Sequence, residues 1–168
     1  MEEFLKKRET TSFSVATGEL PKPERFLKFF KSEHREFWLL PNKKKHGPEN
    51  ILFDGTVTSQ RTWKQGFLHG PETNFTYCGK RYEIRTWKEG VRHGLSTSFY
   101  KTRTTENWWE EGKLLYGKSW SHIEGRTLSA YNLGTLTTYR ADGTISRISS
   151  EKIMWSFYPD GRVTRYFI

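Results

Sequence analysis

Residues 63–70 read Trp-Lys-Gln-Gly-Phe-Leu-His-Gly, and residues 87–94 read Trp-Lys-Glu-Gly-Val-Arg-His-Gly. Weaker copies of this motif begin at Leu40 and Trp109, so that the anchor positions 40, 63, 87 and 109 are 23, 24 and 22 residues apart. Self-similarity at a nearly fixed spacing of this size is typical of chains built from stacked supersecondary units. The residues that define the repeat are Trp63, Gly66, His69, Gly70, Trp87, Gly90, His93, Gly94, Trp109 and Gly112.

The segments between the motif copies have the pattern of β-hairpins. An aromatic residue precedes a turn residue by four positions in Phe75 to Gly79, and equivalent pairs recur along the chain. The dipeptides Asp54-Gly55, Asp142-Gly143 and Asp160-Gly161 favour two-residue hairpin turns, because both central positions of such turns need positive φ. Each unit is therefore predicted to be a β-hairpin. The His-Gly or Trp-x-x-Gly element is predicted to be a looser connection to the next hairpin.

The composition agrees with a β protein of one domain. Phe, Tyr and Trp together make up 16% of 168 residues, and aromatic residues favour strands. A single cysteine, Cys78, permits no intramolecular disulfide. The first residues are charged, and no window approaches the length of an apolar membrane span. No signal peptide or transmembrane segment is therefore expected, and an intracellular, cytoplasmic location is expected.

The first 39 residues do not repeat and are predicted to form a separate amino-terminal arm. Pro23 followed by Glu24 suits the first turn of a helix, and Phe26, Leu27 and the following phenylalanines form a compact apolar group. A short amphipathic helix is predicted over residues 23–35. Because stacked repeats need a terminal unit that covers their apolar end, its expected role is to cap the first hairpin of the array at 40–168. Docking of this helix to a partner or a membrane is the alternative.

Residues 66–71, which read Gly-Phe-Leu-His-Gly-Pro, together with Phe75, Gly79-Lys80 and the Trp-Lys-Glu-Gly of 87–90, resemble the MORN repeat in its variant form. The resemblance covers about residues 40 to 168. It implies an elongated, single-layer antiparallel sheet of stacked hairpins that acts as a scaffold, and no particular chemistry. Proteins built only from such repeats are abundant in large DNA viruses of amoebae, so the resemblance also suggests a viral protein found in the host cell or the virion.

The three histidines at equivalent positions, His46, His69 and His93, are the first candidates for chemistry. Stacked hairpins advance by two strand spacings, about 9.5 Å per unit, whereas zinc holds each ligand nitrogen at about 2.0 to 2.1 Å. One metal ion therefore cannot be shared along this column, and loop-closing histidines are expected. No cysteine pair, phosphate-binding glycine loop or nucleophile turn is present in the sequence. We expect no enzymatic activity, metal, cofactor or small-molecule substrate.

Lysine and arginine exceed aspartate and glutamate by 28 to 19, which gives a net charge of +9. Such a charge attracts phosphates nonspecifically. The excess is spread thinly, and the dense run Lys43-Lys44-Lys45 is the candidate contact for polyanions or lipid. The alternation of basic and aromatic residues over 80–85 is what a half-buried strand requires. Nucleic acid is therefore an unlikely partner.

A single-layer sheet with apolar groups on one face needs another surface to cover them. The leading interpretation is a non-catalytic scaffold that mediates protein–protein interaction and forms a homodimer. Its candidate self-association residues lie in the final strand, where no later hairpin covers them: Val163, Tyr166, Phe167 and Ile168. The alternative function is a peripheral membrane or phosphoinositide-binding module that uses the basic loops. The identity of a further protein partner does not follow from the sequence.

Overall fold

The computed structural model describes residues 27–168, and in this range all regular structure is β. The prediction of a mainly β protein built from an antiparallel sheet is confirmed. The strands are β1 (Lys28–Lys31), β2 (Arg35–Leu39), β3 (Lys45–Phe53), β4 (Thr56–Lys64), β5 (Phe67–Phe75), β6 (Arg81–Lys88), β7 (Val91–Arg92), β8 (Gly94–Phe99), β9 (Arg103–Glu110), β10 (Lys113–Ser121), β11 (Thr127–Asn132), β12 (Thr135–Tyr139), β13 (Ile145–Ser149), β14 (Ile153–Phe157) and β15 (Val163–Phe167).

All fifteen strands belong to one open antiparallel sheet, in which the strand order follows the chain order. The short strand β7 pairs with β6 and lies beside that path. The substantial packing between strands in the described part of the chain is between sheet neighbours, as in a single-layer sheet. With strands about 4.8 Å apart, a path of fourteen strands is roughly 60 Å wide.

The predicted helix over residues 23–35 is wrong where the structure describes it. Residues 28–31 form the edge strand β1, which pairs with β2 through Phe29 opposite Trp38 and Phe30 opposite Phe37. In a strand these rings lie alternately on the two faces, and each ring gains a cross-strand aromatic partner. An apolar group of this length therefore fits a strand as well as it fits one face of a helix. The remainder of the predicted helix, 23–26, lies outside the described residues. The sheet thus includes residues 28–39, which precede the expected start of the array.

Two-residue turns form four of the connections predicted to be looser, namely the Trp-x-x-Gly elements and the equivalent element at 131–134. Gln65 and Gly66 both have positive φ, and so do the pairs Glu89-Gly90, Glu111-Gly112 and Leu133-Gly134. Two successive residues with positive φ give the two-residue turn whose twist matches that of the flanking strands. We call the ends of the strands where these four turns lie the turn edge, and the opposite ends the loop edge.

Only the first of the three Asp-Gly dipeptides forms the predicted two-residue turn. Asp54 and Gly55 have φ values of 48° and 71°, but in Asp142-Gly143 and Asp160-Gly161 the glycine alone has positive φ. In the connection after β12, the N–H of Gly143 donates to the Arg140 carbonyl at 3.0 Å, and the N–H of Arg140 donates to the Thr144 carbonyl at 2.8 Å. This is the longer loop in which a turn is followed by a left-handed glycine.

The His-Gly elements lie within the sheet, where they form bulges. Arg61 pairs with Glu72 and Trp63 pairs with Leu68, so that a single residue of β4 faces the three residues 69–71. Gly70 has a φ of 90° at this point, which glycine adopts without a steric penalty. Equivalent irregularities occur at His46-Gly47 and His93-Gly94, and both of those glycines also have positive φ. The repeat motif thus encodes a tight turn followed by a bulge.

The sheet has almost no apolar core in the described residues. Only Val57 and Phe75 are buried hydrophobic residues, whereas eleven polar or charged residues are buried. The buried polar residues are Glu36, Glu49, Asn50, Ser59, Glu72, Asn74, Ser96, Thr97, Thr104, Ser119 and Ser121. Because buried polar groups are costly unless they are paired, the stability of this sheet depends on how these side chains are satisfied.

Candidate functional site

The most elaborate side-chain cluster is centred on the carboxylate of Glu49 in β3, which is fully buried. Its oxygens accept a hydrogen bond of 2.7 Å from Trp63 Nε1 and one of 2.5 Å from Lys45 Nζ. Arg61, directly opposite Glu49 in the sheet, brings its Nε within 3.0 Å of the same carboxylate. The burial of the carboxylate is thus offset by two cations and an indole N–H.

The next unit repeats this arrangement around Glu72. Trp87 Nε1 donates to the Glu72 carboxylate at 2.9 Å, and Arg85 Nη1 lies 3.6 Å from the same carboxylate. In the strand register, Glu72 faces Arg61 on one side and Arg85 on the other. Glutamate and arginine therefore alternate across four neighbouring strands, β3 to β6, in one row that runs across the sheet.

The third unit lacks this ion-paired centre. Ser96 stands where the first two units have glutamate, and its cross-strand partner is Asn107 where those units have arginine. Trp109 Nε1 is buried without a hydrogen-bond partner, as is Ser96 Oγ. The carboxylate and its arginine are thus replaced together, which keeps the row free of an unpaired buried charge.

The tryptophans of the repeat are stacked with cationic side chains. Lys45 Nζ lies 4.6 Å from the ring centre of Phe37 and 4.8 Å from that of Trp63. Two repeats further, Arg92 occupies the position equivalent to Lys45 and lies over Trp87 at 5.9 Å and over Trp109 at 4.8 Å. These cation–π contacts link successive units along the turn edge, so the Trp column is a stabilising element of the stack.

The histidines also serve the turn edge. His46 Nδ1 accepts a hydrogen bond of 3.3 Å from the backbone N–H of Gln65, the first residue of the next tight turn. The Nδ1 atoms of His69 and His93 are buried in the equivalent bulges without a hydrogen-bond partner within residues 27–168, so the contact to the next turn is made by His46 alone of the three. In the part of the chain that the structure describes, no group of three or more His, Cys, Asp or Glu residues could hold a metal ion.

A backbone hydrogen bond from the turn glycine joins each of the first three turns of the turn edge to the preceding unit. Gly66 N–H donates to the Lys45 carbonyl, and Gly90 N–H donates to the Leu68 carbonyl, both at 2.8 Å. Gly112 N–H donates in the same way to the Arg92 carbonyl at 2.8 Å. The acceptor is always the residue just before the His-Gly bulge. The turn and the bulge are therefore linked by a backbone hydrogen bond in the same way in three successive units.

The predicted basic contact divides into two parts. Lys43 and Lys44 are exposed in the connection between β2 and β3, and the stem of Lys44 lies 3.5 Å from where a Cβ on Gly66 would be. Lys45 points instead to the buried Glu49 and to the ring of Trp63. Only Lys43 and Lys44 are thus free to meet an anionic surface, and Lys45 is part of the internal network.

The four predicted self-association residues lie on or beside the edge strand β15. All are exposed, with Phe167 and Ile168 at 75% each. The N–H of Tyr158 donates to the Arg162 carbonyl and that of Ile168 donates to the Lys152 carbonyl, which sets the alternation of the ladder between β14 and β15. Residues 162, 164, 166 and 168 therefore face β14. The backbone groups of Val163, Arg165 and Phe167 point away from the sheet.

The buried carboxylates were not predicted, although the sequence contains a signal for them. Pro-Glu follows His-Gly at 48–49 and 71–72, and Arg-Thr precedes Trp at 61–62 and 85–86. A repeated acidic residue and a repeated basic residue in the same two units, both absent from the third, indicate a paired interaction. Known catalytic sequence motifs do not reveal this interaction, because the paired glutamate and arginine lie on two different strands.

No known family model matches the chain, and no curated protein sequence is significantly similar to it. The resemblance to MORN repeats therefore rests on the motif residues alone. Within the described range 27–168, the chain has no helix that is long and apolar enough to cross a membrane.

Proposed function

We propose that this protein is a non-catalytic scaffold that self-associates through the outer edge of β15. The observation that carries the proposal is the row of outward-pointing backbone groups at Val163, Arg165 and Phe167, beside exposed apolar side chains. An exposed edge of this kind is a template for pairing with another strand. The opposite edge strand, β1, is shorter and has lysine at both ends, which disfavours pairing.

A two-fold axis would pair β15 with β15 of a second copy in antiparallel orientation. Of the registers that keep the outward-pointing residues in hydrogen-bonded pairs, we compare the two whose axis lies at residue 165 or 166. In one, Arg165 faces Arg165 of the second copy, and directly opposed like charges are destabilising. In the other, shifted by two residues along the partner strand, Arg165 faces Phe167 and Tyr166 lies on the axis. We favour the second register, because Arg165 already stacks over Phe167 at 4.4 Å within one chain.

Light scattering of the purified protein tests the proposal. We expect a dimer at tens of micromolar and a monomer for Phe167→Lys, which would oppose Arg165 of the second copy. Tyr116→Lys is a matched control, because Tyr116 is half exposed in a central strand and its replacement should leave the dimer intact. A monomeric wild-type protein, or a dimer that survives Phe167→Lys, would overturn the proposal.

Cross-linking tests the register separately. In a Cys78→Ser background, Tyr166→Cys should form a disulfide between copies under mild oxidation, because residues on the axis face each other closely. Val163→Cys should not, because in this register it lies about three residues from the axis. A dimer that cross-links through position 165 instead would retain the scaffold proposal and exclude this register.

The second candidate function is a peripheral module that binds anionic lipid or phosphoinositide. Lys43 and Lys44 support it, since both are exposed at the turn edge beside Lys64 of the next turn. Each basic residue near an anionic membrane contributes about 1 kcal/mol. Replacing Lys43 and Lys44 by Glu should abolish co-sedimentation with anionic liposomes at low salt. The lipid function fails if the wild-type protein does not sediment with them.

A further inference from the structure

The loop edge carries a row of exposed apolar side chains that repeats with the units. One member comes from each of four successive hairpin connections: Phe53, Tyr77, Tyr100 and Ile123, with exposed fractions of 58%, 72%, 52% and 77%. They are 24, 23 and 23 residues apart in sequence. Successive hairpins advance by about 9.5 Å, so these side chains form a regular line across the sheet. We call this line the loop-edge row.

Positive charge is concentrated beside the middle of the loop-edge row. Segments 76–82 and 99–103 contain four basic residues and no acidic residue. The four basic residues are Lys80, Arg81, Lys101 and Arg103. The two segments are neighbours, because β6 pairs with β8 and the Arg81 guanidinium lies 5.5 Å from the ring centre of Phe99. At the next connection, by contrast, Arg126 is neutralised by an ion pair with Glu124.

A cleft of about 500 Å³ opens between the first two members of the row. Its walls are aromatic: Phe53 and Tyr77 contact each other with ring centres 5.4 Å apart, and Tyr82 also lines the cleft. Its floor contains the polar side chains of Ser59 and Asn74, each only 8% exposed. The hydroxyl of Ser59 has no hydrogen-bond partner among the described residues. The Asn74 amide donates to the Glu83 carboxylate at 3.3 Å, which leaves its carbonyl oxygen for a ligand. Aromatic walls over a polar floor of this kind suit a planar ligand with hydrogen-bonding edges.

We propose that the loop edge binds single-stranded nucleic acid. One base stacks against Tyr77 in the cleft and hydrogen-bonds to Ser59 and Asn74, while backbone phosphates follow the cations of segments 76–82 and 99–103. Aromatic platforms beside a basic track are the usual means of binding single strands, since every base offers a π-face. A lipid surface would use the same cations but would leave the buried polar floor of the cleft without a role.

This inference goes beyond the scaffold function and does not depend on it. It also revises the expectation that nucleic acid is an unlikely partner. That expectation was based on the distribution of charge along the sequence, in which residues 80 and 103 are far apart. The sheet brings their segments together at adjacent hairpin connections, which only the strand register reveals.

Fluorescence polarisation with a labelled single strand of a dozen nucleotides tests the proposal on the full-length protein. Tyr77→Ala should weaken binding by about ten- to a hundredfold, the effect of losing one stacked base. The paired variant Lys80→Glu and Arg81→Glu should weaken binding and flatten its salt dependence by about 0.7 in log–log slope for each phosphate that is no longer neutralised. The matched control is Lys64→Glu with Lys88→Glu, which makes the same charge change at the turn edge.

Two further probes separate base recognition from charge. A strand of equal length without bases should bind the wild-type protein as weakly as the intact strand binds Tyr77→Ala, and Tyr77→Phe should retain affinity. A mononucleotide should bind far more weakly than the strand, because it meets only one part of the row.

The proposal is overturned if the strand does not bind, if the base-free strand binds equally well, if the mononucleotide matches the strand, or if the turn-edge control loses as much affinity as the loop-edge variant. Since Tyr77 is 72% exposed, its replacement should leave the melting temperature unchanged.

Discussion

Strands β3 to β6 and strands β11 to β15 belong to the same sheet but are stabilised in different ways. The first region contains a row of alternating charges from Glu49 to Arg85, in which the carboxylates are buried and are tied to the tryptophans of the repeat. In the second, the equivalent row passes through Tyr131, Leu136 and Met154, and no residue beyond Ser121 is buried in the described chain. The stability of a region without buried side chains comes mainly from the backbone hydrogen bonds between its strands. The same region carries the edge proposed for self-association.

The largest expected effect is the loss of the buried carboxylate in the first region. Glu49→Ala should lower the free energy of unfolding by about 3–5 kcal/mol, because two cations and the Trp63 N–H lose their partner in a buried setting. Ser129→Ala in the second region should change it by less than about 0.5 kcal/mol. Urea unfolding followed by tryptophan fluorescence measures both. Equal effects would show that the two regions are stabilised alike.

The third unit allows the network to be extended rather than broken. Ser96→Glu alone should destabilise the protein, because it buries a carboxylate without its arginine. Combined with Asn107→Arg, it should recover stability with a favourable coupling of about 1–3 kcal/mol, as expected for residues in one network. The measurement is a double-mutant cycle by urea unfolding. Additive effects would mean that the Trp109 N–H and the new pair do not act together.

A smaller effect is expected at the bulge glycines. Gly70→Ala should cost about 1–2 kcal/mol, since an L-residue is strained at a φ of 90°. Gly143→Ala has a similar φ in an exposed loop of the second region, where the connection can relax, and should cost less. Thermal unfolding of the two variants shows at which position the surrounding backbone can move to relieve the strain. A larger loss at Gly143 would contradict this view of the bulge.

The two regions also differ in how well the sequence predicted them. The repeat spacing and the glycines predicted the antiparallel hairpin array, which the structure confirms. The amino-terminal strand was taken for a helix, because Phe26 to Phe30 form an apolar group whose period is ambiguous over so few residues. The loop-edge row was not predicted, although residues 53, 77 and 100 follow the repeat spacing, because their exposure is evident only in the structure. The buried Glu49 was missed because its partners Arg61 and Trp63 come from a different strand.

The smallest expected effect concerns the amino-terminal edge at acid pH. A 2.8 Å ion pair with Lys31 holds the pKa of Glu36 below its usual value, and a hydrogen bond from Asn50 acts in the same direction. A lowered folded-state pKa means that the stabilisation is present above the unfolded-state pKa and is lost as the pH falls through the folded-state value. Thermal unfolding between pH 6 and 3 should therefore show a weaker acid dependence in Glu36→Gln than in the wild type. Identical pH profiles would exclude this contribution.

The hydrogen bonds from each turn glycine to the preceding bulge have a consequence for how the chain folds during synthesis. Every strand pairs with its neighbour in the chain, and each turn is fastened only to the unit made before it. Such local pairing favours rapid folding, because no strand has to pair with a segment that is distant in sequence. The sheet can therefore grow one hairpin at a time as the nascent polypeptide leaves the ribosome, with β15 added after β14. The edge proposed for self-association would then form only after the preceding strands are in place, so the proposed association would await the emergence of residue 167.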